Sequence, residues 1–181
     1  TEALHDNSDA LIWLGAWNGE GLNRFDKTTE TFTHYRFDPH NPDSLSYNEI
    51  GGLYQDASGT LWIGKRGGGL NKFNKSPGTF TRYGKEHGVP ATVNAILEDA
   101  YMNLWLSTNN GIVRFNPKTE KVDRRYTEFD GLQVNSFLYE SGFKTQDGEM
   151  WFGGTNGVNR FHPQKLTKNL YIPPVVLTSL T

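Results

Sequence analysis

Residues 50–83 read IGGLYQDASGTLWIGKRGGGLNKFNKSPGTFTRY, four short apolar or aromatic runs separated by clusters of Asp, Ser, Gly, Pro and Lys. Alternating side-chain character, β-branched and aromatic residues, and a turn cluster about every ten residues predict four antiparallel strands joined as a meander. We label them A (IGGLYQ), B (TLWIGK), C (LNKFN) and D (TFTRY). Asp56 opens the A–B turn, where a short carboxylate accepts backbone N–H groups two residues on and closes the turn; Asp6 and Asp99 occupy the same place elsewhere in the chain.

The same unit recurs outward in both directions. Strand B appears as LIWLG, LWIG, LWLS and MWFG, so Trp13, Trp62, Trp105 and Trp151 stand 49, 43 and 46 residues apart. Strand C recurs as LNRF, LNKF, IVRF and VNRF, ending at Phe25, Phe73, Phe115 and Phe161, each preceded by Arg24, Lys72, Arg114 or Arg160. Alternation sends ring and cation to opposite faces of the strand, the ring between units and the basic stem over apolar surface. Strand D ends at Tyr35, Tyr83 and Tyr126, which read as outer-edge packing. A Trp-bearing unit repeated every 40 to 50 residues or so cannot bury its own faces and must stack on its neighbours. The expected fold is all-β, a β-propeller with four-stranded antiparallel blades, about four of them spanning residues 1–165.

The last unit departs from the pattern. After Phe161 comes HPQKLTKNLYIPPVVLTSLT, with no FTxY strand and a Pro173–Pro174 pair that fits poorly inside a sheet. Residues 166–181 are therefore read as an exit segment. Four blades are at the lower end for a closed ring, so a partial propeller or one assembled between chains is expected, with an apolar face bare at each end. The partners that follow are further blades or a second copy of the chain, a homo-oligomer.

Composition narrows the function. The 181 residues carry a net charge of -2 with no block of like charge, which argues against a nucleic-acid partner. No apolar run reaches the roughly 18 residues of a membrane span, so no membrane contact is expected of this segment. There is no cysteine, which excludes disulfides and thiolate chemistry. The five histidines, His5, His34, His40, His87 and His162, fall in different strands or loops without metal-ligand spacing, and no metal or cofactor is expected.

The stretch from LGAWNGEGLNRF through DPHNPDSLSYNEIGGLYQDASGTLWIG, with the recurring GGGLN and the final DGLQVNSF and DGEMWFGGTNGVNRF, resembles the two-component regulator propeller repeats. The resemblance covers residues 1 to about 165. It implies the periplasmic sensor region of a bacterial hybrid two-component histidine kinase of the Bacteroidetes type. In such receptors the propellers lead into an immunoglobulin-like domain, and the tail IPPVVLTSL is similar to the entry to it. This chain has four blades and none of the membrane helix or kinase that the family carries downstream.

An enzymatic alternative rests on DASGTLW, which resembles the Asp-box turn of sialidase propellers. A sialidase site needs a tyrosine nucleophile, and in that family an arginine cluster as well. Here Arg24, Arg114 and Arg160 are tied to repeat positions and the other arginines do not gather, so neither a sialidase-like nor a lyase-like centre assembles. The protein is read as non-catalytic.

In such a blade the B–C and D–A loops emerge on one face. The B–C loops AWNGEG, KRGGG, TNNG and GTNG differ from one another, whereas the opposite turns are alike. Positions that repeat serve the fold, so the deviating ones are the functional candidates. Trp17 offers an aromatic plane, Arg66 a forked donor, Asn109, Asn110 and Asn156 amides, and Tyr47 a ring with a hydroxyl. At the start of strand A, aligned with Gly51, Asn94 and Glu140 are placed to reach a ligand on the axis. Aromatic planes with bidentate polar groups suit an oligosaccharide ligand. The competing reading is a protein-interaction or dimerisation scaffold that holds no small molecule.

Overall fold

The computed structural model describes residues 2–5 by their backbone and residues 10–16 and 18–166 in full. Asp6, Trp17 and residues 167–181, including most of the exit segment, lie outside the described residues. Four separate antiparallel sheets follow one another along the chain. Blade one comprises β1 (Glu2–His5), β2 (Leu11–Ala16), β3 (Gly21–Asp26) and β4 (Thr31–Tyr35). Blade two comprises β5 (Ile50–Gln55), β6 (Leu61–Lys65), β7 (Leu70–Asn74) and β8 (Thr79–Tyr83). Blade three comprises β9 (Val93–Glu98), β10 (Leu104–Thr108), β11 (Gly111–Asn116) and β12 (Lys121–Tyr126). Blade four has β13 (Phe137–Lys144), β14 (Met150–Gly154) and β15 (Gly157–Phe161), with no fourth strand among the described residues. The sheets are meanders, each strand pairing with its sequence neighbour, as the turn spacing predicts.

The blades are joined by aromatic seams. Trp13 and Tyr35 of blade one meet Phe73 of blade two with ring centroids 4.9 and 5.5 Å away. Trp62 and Tyr83 meet Phe115 at 5.8 and 5.1 Å, and Trp105 meets Phe161 of blade four at 5.0 Å and its own Tyr126 at 5.3 Å. Such tilted pairs each contribute about 0.5–1.5 kcal/mol beyond the area they bury. The strand D tyrosines thus sit within the seams and not at the outer edge. Tyr83 is buried, and its hydroxyl reaches across to donate to Glu120 Oε1 of blade three at 2.8 Å.

Each buried indole also needs an acceptor, and the turn aspartates supply it. Asp56 Oδ2 accepts from Trp62 Nε1 at 2.7 Å while Oδ1 accepts the backbone N–H groups of Ser58 and Thr60, both at 2.9 Å. Asp99 does the same for Trp105 Nε1 at 2.9 Å and for the N–H groups of Tyr101 and Asn103. One carboxylate therefore closes the turn and fixes the seam tryptophan. In blade four the role passes to Glu149, whose Oε2 accepts from Trp151 Nε1 at 3.1 Å.

The strand C cations lie on the opposite face from the phenylalanines. Lys72, Arg114 and Arg160 sit 5.9, 6.0 and 5.4 Å over the tryptophans of their own blades, a cation–π arrangement that covers apolar surface.

The ring does not close on itself among the described residues. Among the described residues the ring contact of Phe25 is with Phe32 of its own blade, and Phe32 is 54% exposed. At the other end Trp151 has no aromatic partner across a seam among the described residues, and Phe143 is 64% exposed. Among the described residues the four blades form an open array with one uncovered face at each end.

Candidate functional site

The loop face is built by interlocking loops. Gly67 and Gly69 donate to Ala91 O at 3.0 and 2.8 Å, Gly21 to Asn48 O and Gly111 to Asn135 O, so each B–C loop grips the D–A loop that leaves its own blade. Gly69 and Gly111 have φ of 71° and 86°, and a Cβ at either would strike the carbonyl of Tyr83 or Tyr126; only glycine fits. The next blade grips the other side of the loop: Asn71 Oδ1 accepts from Ser46 N at 2.9 Å, and Asn159 Oδ1 from Gln133 N at 2.8 Å. Arg82 pins the long loop after blade one, donating from Nε to Ser44 O at 2.9 Å and from Nη2 to Asn41 O at 2.8 Å.

Two of the clefts on this face gather expected site residues. The inner one, about 200 Å³, is lined by Ile50 and Arg66 of blade two and by Tyr139 and Glu140 of blade four. It exists because strand A of blade four is distorted. In blades two and three the register shifts by a single residue, at Gly51 and Asn94, whereas in blade four residues 138–141 all lie between the pairs Phe137↔Gly154 and Gly142↔Phe152. A wide bulge re-aims side chains, and here it carries Glu140 at φ 55° and brings Tyr139 under the Arg66 guanidinium, 4.7 Å from the ring centroid. Arg66 also approaches Glu49 at 3.6 Å. One arginine thus joins a ring and two carboxylate-bearing loops from blades on either side of the axis.

The second cleft, about 390 Å³, lies between the loop after blade two and the β10–β11 turn, with Lys85, Val89, Pro90, Asn109, Asn110 and Arg125 among its walls. The two clefts flank one backbone bridge, Arg66 to Thr92.

The expected site residues therefore divide. Arg66 and Glu140 come together in the inner cleft and Asn109 and Asn110 in the outer one. Tyr47 is 43% exposed with its ring over Gly67, beside Arg66 but outside both clefts. Asn156 stands exposed in the β14–β15 turn, away from them. Trp17 lies outside the described residues.

Asn94 is corrected. Its exposure is 0%, and its amide donates to Asn109 Oδ1 at 3.1 Å and to Phe137 O at 2.8 Å, so it ties blade three to blade four and does not reach the axis. Its equivalence to Glu140 also fails, because the wide bulge inserts residues between them. Tyr139, Lys85 and Arg125 escaped the sequence reading. Tyr139 lies one residue from Glu140, but only the bulge turns it inward.

Beneath this face lies an unusual amine. Lys65, at the end of β6, is 0% exposed, and its Nζ has no acceptor. Desolvation alone pushes its pKa well below the usual lysine value. Among the described residues no group of three or more His, Cys, Asp or Glu stands together as a metal site.

Stacked meander blades with seam tryptophans define the class as a β-propeller segment. Residues 44–64 match the two-component regulator propeller family. The chain is 32% identical, over 94% of its length, to histidine kinase P4 of Formosa agariphila, and spans 16% of that protein. It superposes with a TM-score of 0.79 on the extracellular domain assigned to a hybrid two-component system of B. thetaiotaomicron, at 20% identity, covering 92% of this chain and 22% of that one. The WD40 β-propeller domain of Doa1 superposes at a TM-score of 0.68 and 13% identity, over 91% of this chain and 51% of the other. The match to the two-component regulator propeller family falls on the loop entering blade two and on its first two strands, and the other blades repeat the same strand pattern. No helix among the described residues is long and apolar enough to cross a membrane.

Proposed function

We propose that this chain is a ligand-sensing, non-catalytic segment of the periplasmic region of a hybrid two-component histidine kinase, and that its loop face binds an oligosaccharide. The observation that carries the ligand reading is the inner cleft. A strained bulge of blade four delivers an aromatic plane and a carboxylate to an arginine of blade two, giving stacking surface and forked hydrogen bonding in one place. Backbone strain of this kind clusters at ligand sites, and neutral polyols are held by such combinations. The relatives of the chain supply the signalling context, since they include a histidine kinase and an extracellular domain of a hybrid two-component system.

The mechanism is differential binding. A glycan that spans Arg66 and the Tyr139–Glu140 bulge bridges two blades and stabilises the arrangement in which they are close, which biases whatever the array is joined to. The test is titration of a panel of glycan fragments against the chain by calorimetry. A hit is expected to weaken at least tenfold in Arg66→Ala and in Tyr139→Ala with the melting transition little changed. Binding equally strong in both variants would remove the cleft from the account.

A specific observation favours a second reading. Phe32 and Phe143 are exposed on the two end faces, where interior blades bury the equivalent surface against a neighbour. Such patches fit continuation by further blades or by a second copy, which makes the chain an interaction scaffold. Light scattering that returns a discrete oligomer insensitive to every glycan would favour that role alone.

A further inference from the structure

We propose a second ligand site on the opposite face, in the crevice between blades one and two, that binds an oxyanion group, a carboxylate or sulfate, carried on a compact body. The inference is independent of the loop-face reading and starts from the four equivalent cations of strand C. Arg114 is answered in full: its Nε and Nη2 donate to the two oxygens of Asp123 at 2.8 and 2.9 Å. Arg160 has Glu149 at 3.6 Å. Arg24 has no carboxylate partner among the described residues. Its Nη2 donates to Thr33 Oγ1 at 3.2 Å, and its Nε is buried with no acceptor. A guanidinium offers five donors in a planar fork that matches an oxyanion, and one hydroxyl leaves most of that capacity unused.

The space beside Arg24 is a cavity of about 400 Å³. Its floor is apolar, from Trp13, Leu61 and Phe73, and its rim carries the hydroxyls of Ser58 and Thr60 and the ammonium of Lys75. Arg24, Lys72 and Lys75 all line it, and among the described residues no carboxylate does. An unopposed cationic wall over an aromatic floor fits an anion whose body lies on the ring and whose charged end faces the guanidinium, with short charge-assisted hydrogen bonds. Blade three cannot offer this, because Asp123 already occupies its arginine.

The test uses the 181-residue chain with sodium glucuronate and sodium sulfate as separate probes, at constant ionic strength balanced with chloride. Binding is followed by tryptophan fluorescence and by calorimetry. Saturable binding of at least one probe is expected, with glucuronate alone marking a carboxylate site and sulfate alone a tetrahedral one. Arg24→Gln is expected to weaken it tenfold or more. Thr33→Asp, which gives Arg24 an internal carboxylate as Asp123 does for Arg114, is expected to do the same in a folded protein and decides the matter if Arg24→Gln fails to fold. No saturable response to either probe, or an undiminished response in Thr33→Asp, would overturn the proposal.

Discussion

The seam between blades two and three and the bare face of blade four are made from the same repeat, yet they behave as different materials. Trp62 packs on Tyr83 and Phe115, donates to Asp56, and is 1% exposed. Trp151 occupies the equivalent strand position and donates to Glu149, with Arg160 over its ring, but it is only partly buried and has no seam ring among the described residues. Burial here is a property of the neighbour and not of the residue. A blade is therefore a half-finished object, stable in proportion to what stands beside it. The bare faces are where this array is expected to meet its continuation.

The largest effect expected from this contrast is at the tryptophans. Trp62→Ala should cost about 3–5 kcal/mol in urea unfolding, the range for a large aromatic removed from a packed core. Trp151→Ala should cost less, about 1–2 kcal/mol, because Trp151 is only partly buried and no ring among the described residues packs across it from a further blade. Equal losses would mean that the face of blade four is covered in solution.

The turn carboxylates come next. Asp99→Ala leaves the buried Trp105 indole and two backbone N–H groups without their acceptor, an expected loss of about 2–3 kcal/mol. Glu149→Ala, beside an indole that is only partly buried, should cost about 1 kcal/mol or less. Thermal melts of the pair would sharpen the comparison.

Lys65 gives a smaller effect of opposite sign. Burial depresses its pKa in the folded state, so below the unfolded value near 10.4 the unfolded chain binds the extra proton and stability falls as pH falls. Lys65→Met should raise stability at pH 7 by about 1 kcal/mol and flatten the pH dependence between pH 7 and 10, as read by melting at a series of pH values. A lower melting temperature would show that the amine has a partner in solution.

Tyr54 supplies the mildest test, visible only in alkali. Desolvation, reinforced by the nearby Glu98 carboxylate, lifts its pKa to about 12. Its contribution is complete below the unfolded value near 10 and is lost as pH climbs towards 12. Tyr54→Phe should reduce the loss of stability across that interval.

Much of the architecture was legible in the sequence because it is written four times. Repetition picked out the tryptophans, the strand C phenylalanines and cations, and the turn aspartates. It also placed variable residues on one face, where Arg66, Asn109 and Asn110 do line clefts. Repetition could not reveal a departure from itself. The wide bulge in β13 changes register without changing residue types, so Asn94 and Glu140 seemed equivalent when one is a buried tie between blades and the other an exposed wall. Tyr139 was invisible for the same reason. The strand D tyrosines seemed peripheral because their contacts are with tryptophans two strands away and, for Tyr35 and Tyr83, with phenylalanines of the next blade, and Arg24 differs from Arg114 through Asp123, a neighbour on another strand.

The open array itself is tested most directly by cross-linking, which the absence of cysteine makes clean. Phe25→Cys with Trp151→Cys places one thiol on each end face; Trp13→Cys with Phe73→Cys places two across a real seam. With a short bismaleimide, the seam pair should cross-link within one chain, while the end pair should stay unlinked or join separate chains. An efficient link within one chain for Phe25→Cys and Trp151→Cys would mean that the four blades close on themselves, and would contradict the account.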